Sequence, residues 1–546
     1  MIRNIYKRLL LLCMAWMLIF SFACRTKTEE AGQMIFHYNQ GGGVSNLDPA
    51  FARNQANMWA VHQLYNGLVQ FDEQLNIQPC LANSFEISTD GLLYTFHLRQ
   101  DVFFCNDSCF NAGRGRRLLA SDVEFSLQRI IDPVVASPGA WIFQDKVAGP
   151  EAFRAVDDST FTISLLSPFR PLPGILTMEY CSIIPHEAVE FYGNNFRKNP
   201  VGSGPFQLSR WDEGNVLVLT KNPGYYMQDS TGQKLPYIDK ILVSFIDNKS
   251  TEFLSFLNGD LDFVSDIDPG LKELVLTPEG LLQAHFSDRF RLLKGPYLNT
   301  EYLGFMLDSA HCKPGSPVLS RKFRQAVNCG FDRKKMLQYL RNNKGIAATR
   351  GMIPPGLLPV AHPGYGYTYD RDKASLLLKE SGHSMGDMSP IELSAPPGYA
   401  DLCEFIQKQL EEIGIPITLR IVQPSALRSG MEQNELSFFR ASWIADYPDA
   451  ESYMALFYSP FGSPPNYTRY QNPAFDALYQ QVVAENNDSI SRKLYRAMDS
   501  LVMLDAPVVP LYYDEVYLFV SRRVSGLRVN PMNMLDLEKV QVGVGE

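Results

Sequence analysis

Alternating apolar and polar positions predict short strands at several points along the chain. Residues 92–99 (LLYTFHLR) place apolar side chains at every second position and follow an Asp90-Gly91 turn. The same alternation occurs in 161–165, and 216–220 forms a third apolar segment. Because successive side chains of a strand point to opposite faces, each segment is expected to bury one face against a core.

Apolar positions spaced by three or four residues predict amphipathic helices between these strands. Residues 121–124 (SDVE) have the spacing of a capping box, an apolar stripe follows them, and Pro133 ends the helix. Residues 402–413 carry a second stripe that Gly414 closes, and 417–421 again alternates as a strand. Helix, glycine and strand in close succession indicate a layered α/β fold.

The first 23 residues have the pattern of a signal peptide. Residues 1–8 are basic, 9–23 carry no charge, and Cys24 follows small residues. The uncharged run is shorter than the ~20 residues that cross a bilayer. It resembles a bacterial lipobox, so we expect cleavage after residue 23, a lipid on Cys24 and a polar tether over 24–32. A plain secretory signal with an incidental cysteine is the alternative.

Composition and charge narrow the functional classes. The chain has 546 residues, of which 45% are hydrophobic, so it is long enough for three or four packed domains. Its formal net charge of −9 argues against nucleic acid as a partner, because that binding depends on cationic side chains. No later segment has the length of a membrane span. We therefore expect an extracytoplasmic protein that is held at the bilayer by its lipid. We also expect it to be a monomer.

The sequence contains no signature of catalysis or of metal binding. His186-Glu187 comes closest to HExxH, but Glu190 stands where the second histidine is needed. The motifs GxSxG and GxxxxGK[ST] do not occur, and Gly41-Gly42-Gly43 is predicted to be a turn after a strand at 34–39. The sequence therefore predicts no cofactor and no metal site, and it favours a binding protein over an enzyme.

The cysteines do not suggest a disulfide framework. Seven remain beyond Cys24, an odd number without paired CxxC spacing. Cys105 and Cys109 are the only close pair, and we leave open whether they form a disulfide or are small buried apolar side chains.

A series of short segments carries a resemblance to a known family. In chain order they are 45–49 (SNLDP), 64–69 (LYNGLV), 79–85 (PCLANSF), 90–99, 120–123, 199–206, 221–226 (KNPGYY), 258–262 (NGDLD), 323–327 (FRQAV), 332–333, 443–447 (WIADY) and 505–512 (DAPVVPLY). Together they resemble the extracytoplasmic solute-binding proteins of family 5, the oligopeptide- and dipeptide-binding components of ABC importers.

The resemblance implies an α/β, two-lobed, periplasmic-binding-protein-like fold (type II, cluster C-like) with an extra domain and a hinged cleft between the lobes. By the family pattern, domain I comprises 33–70, 200–296 and 505–546, domain II comprises 71–199, and domain III comprises 297–504. Segments rich in proline and glycine at two joints, 199–205 and 294–297, are expected to be crossings between units, with ordinary loops as the alternative. The insertion at 105–117 is longer than the family's turn, and its three arginines predict a solvated loop.

The resemblance also assigns candidate ligand-binding residues. Asp446 matches the family aspartate that binds the ammonium group of a peptide, which would be costly to bury without an anionic partner. Arg440 matches an arginine that can meet a ligand carboxylate, and a structural ion pair is the alternative. Ser442 stands where the family often has glycine, which puts local backbone contacts in doubt.

Two further groups complete the predicted site. Gly43, Val44 and Ser45 match a loop that pairs with the main chain of a peptide, in the manner of an added strand. Tyr65, Trp443 and Tyr447 are interpreted as walls of the pocket, although each could equally belong to the core.

These features predict a lipid-anchored receptor that captures short peptides and delivers them to the membrane permease of an ABC importer. A receptor of the same family for a nickel chelate or an oligosaccharide is the first alternative. A secreted hydrolase and a surface adhesin or scaffold are further alternatives.

Overall fold

The computed structural model describes residues 32–313, 315–358, 365–383 and 388–543. The predicted signal peptide, Cys24 and the tether up to residue 31 lie outside these ranges, so signal cleavage and lipidation stay predictions. In the part of the chain that is described, no helix is both long enough and apolar enough to cross a bilayer.

The strands appear where alternation predicts them, and several more lie between them. They are β1 Ile35–Asn39, β2 Val69–Phe71, β3 Ile77–Pro79, β4 Ala82–Ile87, β5 Leu93–Leu98, β6 Phe153–Ala155, β7 Thr160–Ser164, β8 Phe206–Asp212, β9 Val216–Lys221, β10 Lys240–Ser244, β11 Phe263–Ser265, β12 Phe290–Phe305, β13 Ile346–Ala347, β14 Ile391–Ala395, β15 Ile417–Ile421, β16 Phe438–Ile444, β17 Val508–Ser521, β18 Val524–Ser525 and β19 Gln541–Val542. In β5 the apolar side chains at alternate positions are buried, as the pattern predicts.

The α-helices cover the predicted apolar stripes. They span Gln55–Leu64, Ala120–Ile131, Leu172–Ile175, His186–Tyr192, Lys249–Asn258, Lys272–Val275, Arg321–Cys329, Arg333–Arg341, Arg371–Glu380, Ala400–Glu411, Pro424–Glu432, Glu451–Met454, Pro473–Val483 and Asp488–Asp505. The predicted capping box is wrong in register. The helix begins at Ala120, and the side chain of Asp122 accepts a hydrogen bond from the Leu119 N–H at 2.8 Å. Glu124 instead accepts the N–H of Ala155.

One sheet of eleven strands runs through most of the molecule. Its order is β15-β14-β16-β12-β17-β11-β1-β10-β9-β8, and β13 pairs with β17. A second sheet, β4-β5-β7-β6, packs beside it. The mixture of parallel and antiparallel pairs, with helices on the faces, is the α/β architecture that the sequence predicts.

Separate hydrophobic cores divide the described chain into two lobes. The first lobe, 32–296 and 514–543, has cores built from its sheet strands and from the helices Gln55–Leu64 and Ala120–Ile131. The second lobe, 298–512, has its own two cores around β14, β16 and the helix Ala400–Glu411. The exact domain limits implied by the family resemblance remain a prediction.

Two long antiparallel strands connect the lobes. β12 pairs with β17 in both lobes, and their register shifts between Pro296 and Thr300. The segment 294–297 therefore crosses between the lobes as part of a strand and not as a loop, and Pro296 interrupts the regular pairing there. Such an interruption is a suitable place for a hinge, because fewer ladder hydrogen bonds resist bending there.

The other predicted crossing is a tightly packed segment. Residues 201–205 are buried, and a Cβ atom at Gly204 would lie 2.4 Å from the carbonyl carbon of Leu64. The N–H of Gly204 donates to the Leu64 carbonyl at 3.0 Å. Glycine is required here because the backbone approaches the end of helix Gln55–Leu64 too closely for any side chain.

Candidate functional site

The loop after β16 carries the residues that the sequence analysis singled out, and Ser452 fixes its shape. The Ser452 hydroxyl accepts the N–H of Asp446 at 3.1 Å and the indole N–H of Trp443 at 3.4 Å. The hydroxyl of Tyr453 donates to the Trp443 carbonyl at 3.2 Å. These bonds tie both ends of the turn to helix Glu451–Met454, so Asp446 is held in one position.

Asp446 is half-buried, and its carboxylate has no counter-charge among the described residues. No hydrogen-bond donor among the described residues reaches it, and its backbone N–H is already used by Ser452. Burial raises the pKa of Asp446 to about 7, and the nearby charge of Glu451 adds to this effect. A carboxylate in this condition gains strongly from a cation, so it can bind an ammonium group of a ligand.

Three tyrosines lie within electrostatic range of Asp446, and the sequence analysis missed all of them. They are Tyr180 in the first lobe and Tyr453 and Tyr467 in the second. Tyr453 lies seven positions after Asp446, in the helix that Ser452 ties to the loop, so the local sequence offered a signal for it. Tyr180 carried no such signal, because only the packing of the two lobes brings it near.

Tyr447 joins the lobes next to Asp446. It is only 4% exposed, and its ring belongs to the core of the first lobe although its backbone belongs to the second. A Cβ atom at Gly174 would lie 3.3 Å from Cδ2 of Tyr447. Its hydroxyl donates to the buried Glu451. Tyr447 is therefore a core residue of the interface between the lobes, the second of the two roles that the sequence left open.

Arg170 makes a second contact between the lobes. Its guanidinium pairs with Asp488 and lies 3.9 Å from Asp449, both in the second lobe. Its backbone N–H donates to the Val483 carbonyl at 2.7 Å. Together with Tyr447, these contacts join the two lobes beside Asp446.

Arg440 has the structural role that the sequence analysis named as its alternative. Its guanidinium pairs with Glu301 of the neighbouring strand β12 and lies 3.3 Å from the ring centre of Tyr399. Arg440 is 8% exposed, and Glu301 is buried as well. Burial raises the pKa of Glu301 even though Arg440 opposes this shift. The ion pair therefore uses the guanidinium that was expected to meet a ligand carboxylate.

The remaining predicted residues are more dispersed. The N–H of Ser45 donates to Asn57 at 3.0 Å, and that of Gly43 donates to Gln40 at 3.1 Å, so neither is free to pair with a ligand main chain. Val44 is buried.

Two predicted residues of the site differ in burial. Trp443 is half-buried beside Ser442 on β16 and can wall the site. Tyr65 is 2% exposed and packs against Gly202, and it lines a cavity within the first lobe that does not include Asp446.

A separate cavity of about 1040 Å³ lies in the first lobe. None of its lining residues comes from the second lobe, so it does not contain Asp446. Its charges are largely matched within the wall: His62 lies 3.3 Å from Glu179, and the hydroxyl of Tyr225 donates to Glu538 at 3.0 Å. Burial lowers the pKa of His62, but Glu179 outweighs this and the pKa lies above its usual value.

One group of possible metal ligands lies in the described residues, and an arginine occupies it. Asp122, His186 and Glu187 place ligand atoms within 4.8 Å of one another. Arg116 donates to both oxygens of Asp122, at 2.6 and 2.8 Å, and to both oxygens of Glu187, at 2.6 and 2.7 Å. This part of the 105–117 insertion is thus anchored rather than solvated, and both Cys105 and Cys109 have free thiols.

The family model for bacterial extracellular solute-binding proteins, family 5, matches residues 76–465, which is more than half of the chain. The chain belongs to this family. Family 5 proteins are extracytoplasmic substrate-binding proteins of ABC importers rather than enzymes, and they bind peptides among other solutes.

Named relatives and solved structures of family 5 cover nearly the whole chain. Heme-binding protein A of Haemophilus influenzae is 27% identical over 93% of this chain and 92% of its own length. The glutathione-binding protein GsiB of Escherichia coli is 25% identical, covering 90% and 91%. The structure of HbpA2 from Haemophilus parasuis has a TM-score of 0.79 at 23% identity, covering 93% and 100%. That of DppA from Helicobacter pylori with the peptide STSA has a TM-score of 0.74 at 23% identity, covering 94% and 100%.

Proposed function

We propose that this family 5 protein is a lipid-anchored receptor for short peptides, which it delivers to the permease of an ABC importer. The observation that carries the proposal is the carboxylate of Asp446, which is half-buried at the meeting of the lobes with no donor among the described residues. An α-ammonium group is the part of a peptide that every sequence shares, and it supplies the missing positive charge.

The contacts between the lobes explain how binding is linked to closure. Asp446 lies in the second lobe, whereas Tyr180 and the surface around Gly174 belong to the first. A ligand that contacts both sides makes its full set of contacts only when the lobes are closed. Its binding therefore shifts the population toward the closed state.

The names of the relatives fit this proposal to different degrees. Glutathione carries an α-ammonium group and is of the size of a short peptide, so the same carboxylate would bind it. Haem carries no ammonium group, and Asp446 offers no reason for its binding. A neutral oligosaccharide likewise leaves the charge of Asp446 unmatched.

The test compares peptides with their N-acetylated forms. Mature protein stripped of bound ligand is titrated calorimetrically with di- to hexapeptides and with the same peptides after acetylation of the amino group. We expect binding of the free peptides and at least a ~30-fold loss on acetylation, because charge-assisted hydrogen bonds are lost in a desolvated site. If no peptide binds, the proposed function is wrong; equal affinity of both forms would move the ammonium site away from Asp446.

Lipid anchoring has its own test. The full-length chain and a Cys24→Ala variant are expressed in a bacterial host with a labelled fatty acid. We expect label and membrane association in the first and neither in the second. Label that persists in the variant would contradict lipidation at Cys24.

A further inference from the structure

A bound peptide has a carboxylate as well as an ammonium group, and the expected partner for it is already occupied. Arg440 is buried in its ion pair with Glu301 and covered by the ring of Tyr399. Releasing it would leave Glu301 as an unpaired buried charge, which is strongly unfavourable. The inference that follows rests on the proposed function and asks which other cation faces the site.

Arg53 is such a cation, in the first lobe. It follows the short 3-10 turn Pro49–Phe51, which packs directly on the turn Glu179–Cys181 that carries Tyr180. Its side chain is exposed, and its guanidinium makes no hydrogen bond or ion pair with any residue that the structure describes. Arg170, by contrast, already has acidic partners across the interface.

Tyr180 links the positions of Arg53 and Asp446. The chain from Gly174 to Cys181 forms successive turns closed by backbone hydrogen bonds, and the Cys181 thiol donates to the Ile175 carbonyl at 3.6 Å. Tyr447 packs on Gly174, which places the neighbouring Asp446 over this turn. The hydroxyl of Tyr180 lies within electrostatic range of both Arg53 and Asp446.

We propose that Arg53 binds the carboxylate of a zwitterionic ligand whose ammonium group is bound by Asp446. The two charges belong to different lobes, with Tyr180 between them. A ligand with both charged ends thus bridges the lobes, and its affinity includes the free energy of closure. An arginine suits this role, because its planar guanidinium can donate two parallel hydrogen bonds to one carboxylate.

The test uses a charge-deletion cycle on the ligand and on the protein. Arg53→Gln is compared with wild type and with Arg114→Gln, a control that removes an exposed arginine from the insertion. The probes are unblocked alanine peptides of two to six residues and the same peptides with C-terminal amides, titrated calorimetrically. We expect Arg53→Gln to weaken binding of the free acids by about 10- to 100-fold, while the amides bind wild type and variant alike. Arg114→Gln should bind every probe as wild type does.

Two outcomes separate this inference from the proposed function. If wild type binds free acids and amides equally, or if Arg53→Gln weakens both equally, Arg53 is not the carboxylate partner, although peptide binding stands. If wild type binds none of the probes, the proposed function fails and the inference fails with it.

Discussion

Replacing Asp446 by asparagine is expected to make the protein more stable and less able to bind. The side chain keeps its shape but loses the charge that the ligand-free protein leaves unmatched. A pKa raised from 3.8 to about 7 corresponds, at 1.36 kcal/mol per unit, to about 4 kcal/mol of stability lost when the group is ionised.

The expected gain is smaller than this upper bound. The site is partly accessible to water, and the asparagine amide would itself lack a partner, which costs about 1–3 kcal/mol. We therefore expect Asp446→Asn to raise the free energy of unfolding by about 1–3 kcal/mol at pH 7.5. The same change should weaken peptide binding by about 2–5 kcal/mol, because it removes one partner of a desolvated charge pair.

Urea unfolding of ligand-free protein and calorimetric titration with a peptide measure the two effects. Asp288→Asn is the matched control, because Asp288 is an exposed aspartate of the first lobe for which no ion pair is seen. It should change neither quantity. Unchanged affinity in Asp446→Asn would refute the assignment of the ammonium site. Lower stability would show that the carboxylate already has a favourable partner in the free protein.

Three further predictions follow from the titration and pairing of buried groups. Affinity for a peptide should rise from pH 5 to 7, because Asp446 must lose its proton to bind a cation. Calorimetric titration at several pH values measures this change, and below pH 7 it should also show the release of about one proton per ligand bound. Arg170→Gln should open the lobes, since it removes the ion pair with Asp488 and the contact with Asp449. X-ray scattering should then give a larger radius of gyration than for wild type, and an unchanged radius would contradict the prediction. Glu301→Gln should lower the free energy of unfolding of the second lobe by about 3–5 kcal/mol, because Arg440 becomes an unpaired buried charge. Urea unfolding measures this change, and a decrease below ~1 kcal/mol would disprove the reasoning.

Local patterns accounted for much of the fold. The alternation in 92–99 and the stripe in 402–413 predicted β5 and the helix Ala400–Glu411, because burial of one face depends only on the spacing of neighbouring residues. The capping box failed because the spacing of polar residues does not decide which turn starts the helix. The segment 294–297 does lie where the chain passes between the lobes, but within a strand, since proline and glycine also mark interruptions within a strand.

The sequence by itself determined the family, the α/β class and the presence of an acidic residue at 446, since these depend on residue types in a fixed order. The tertiary structure alone decided which charges are free. Arg440 meets Glu301 across 139 positions of sequence, and Tyr180 reaches Asp446 from the other lobe. An ionisable side chain acts through the partners that surround it, and distant parts of the chain supply those partners only after folding.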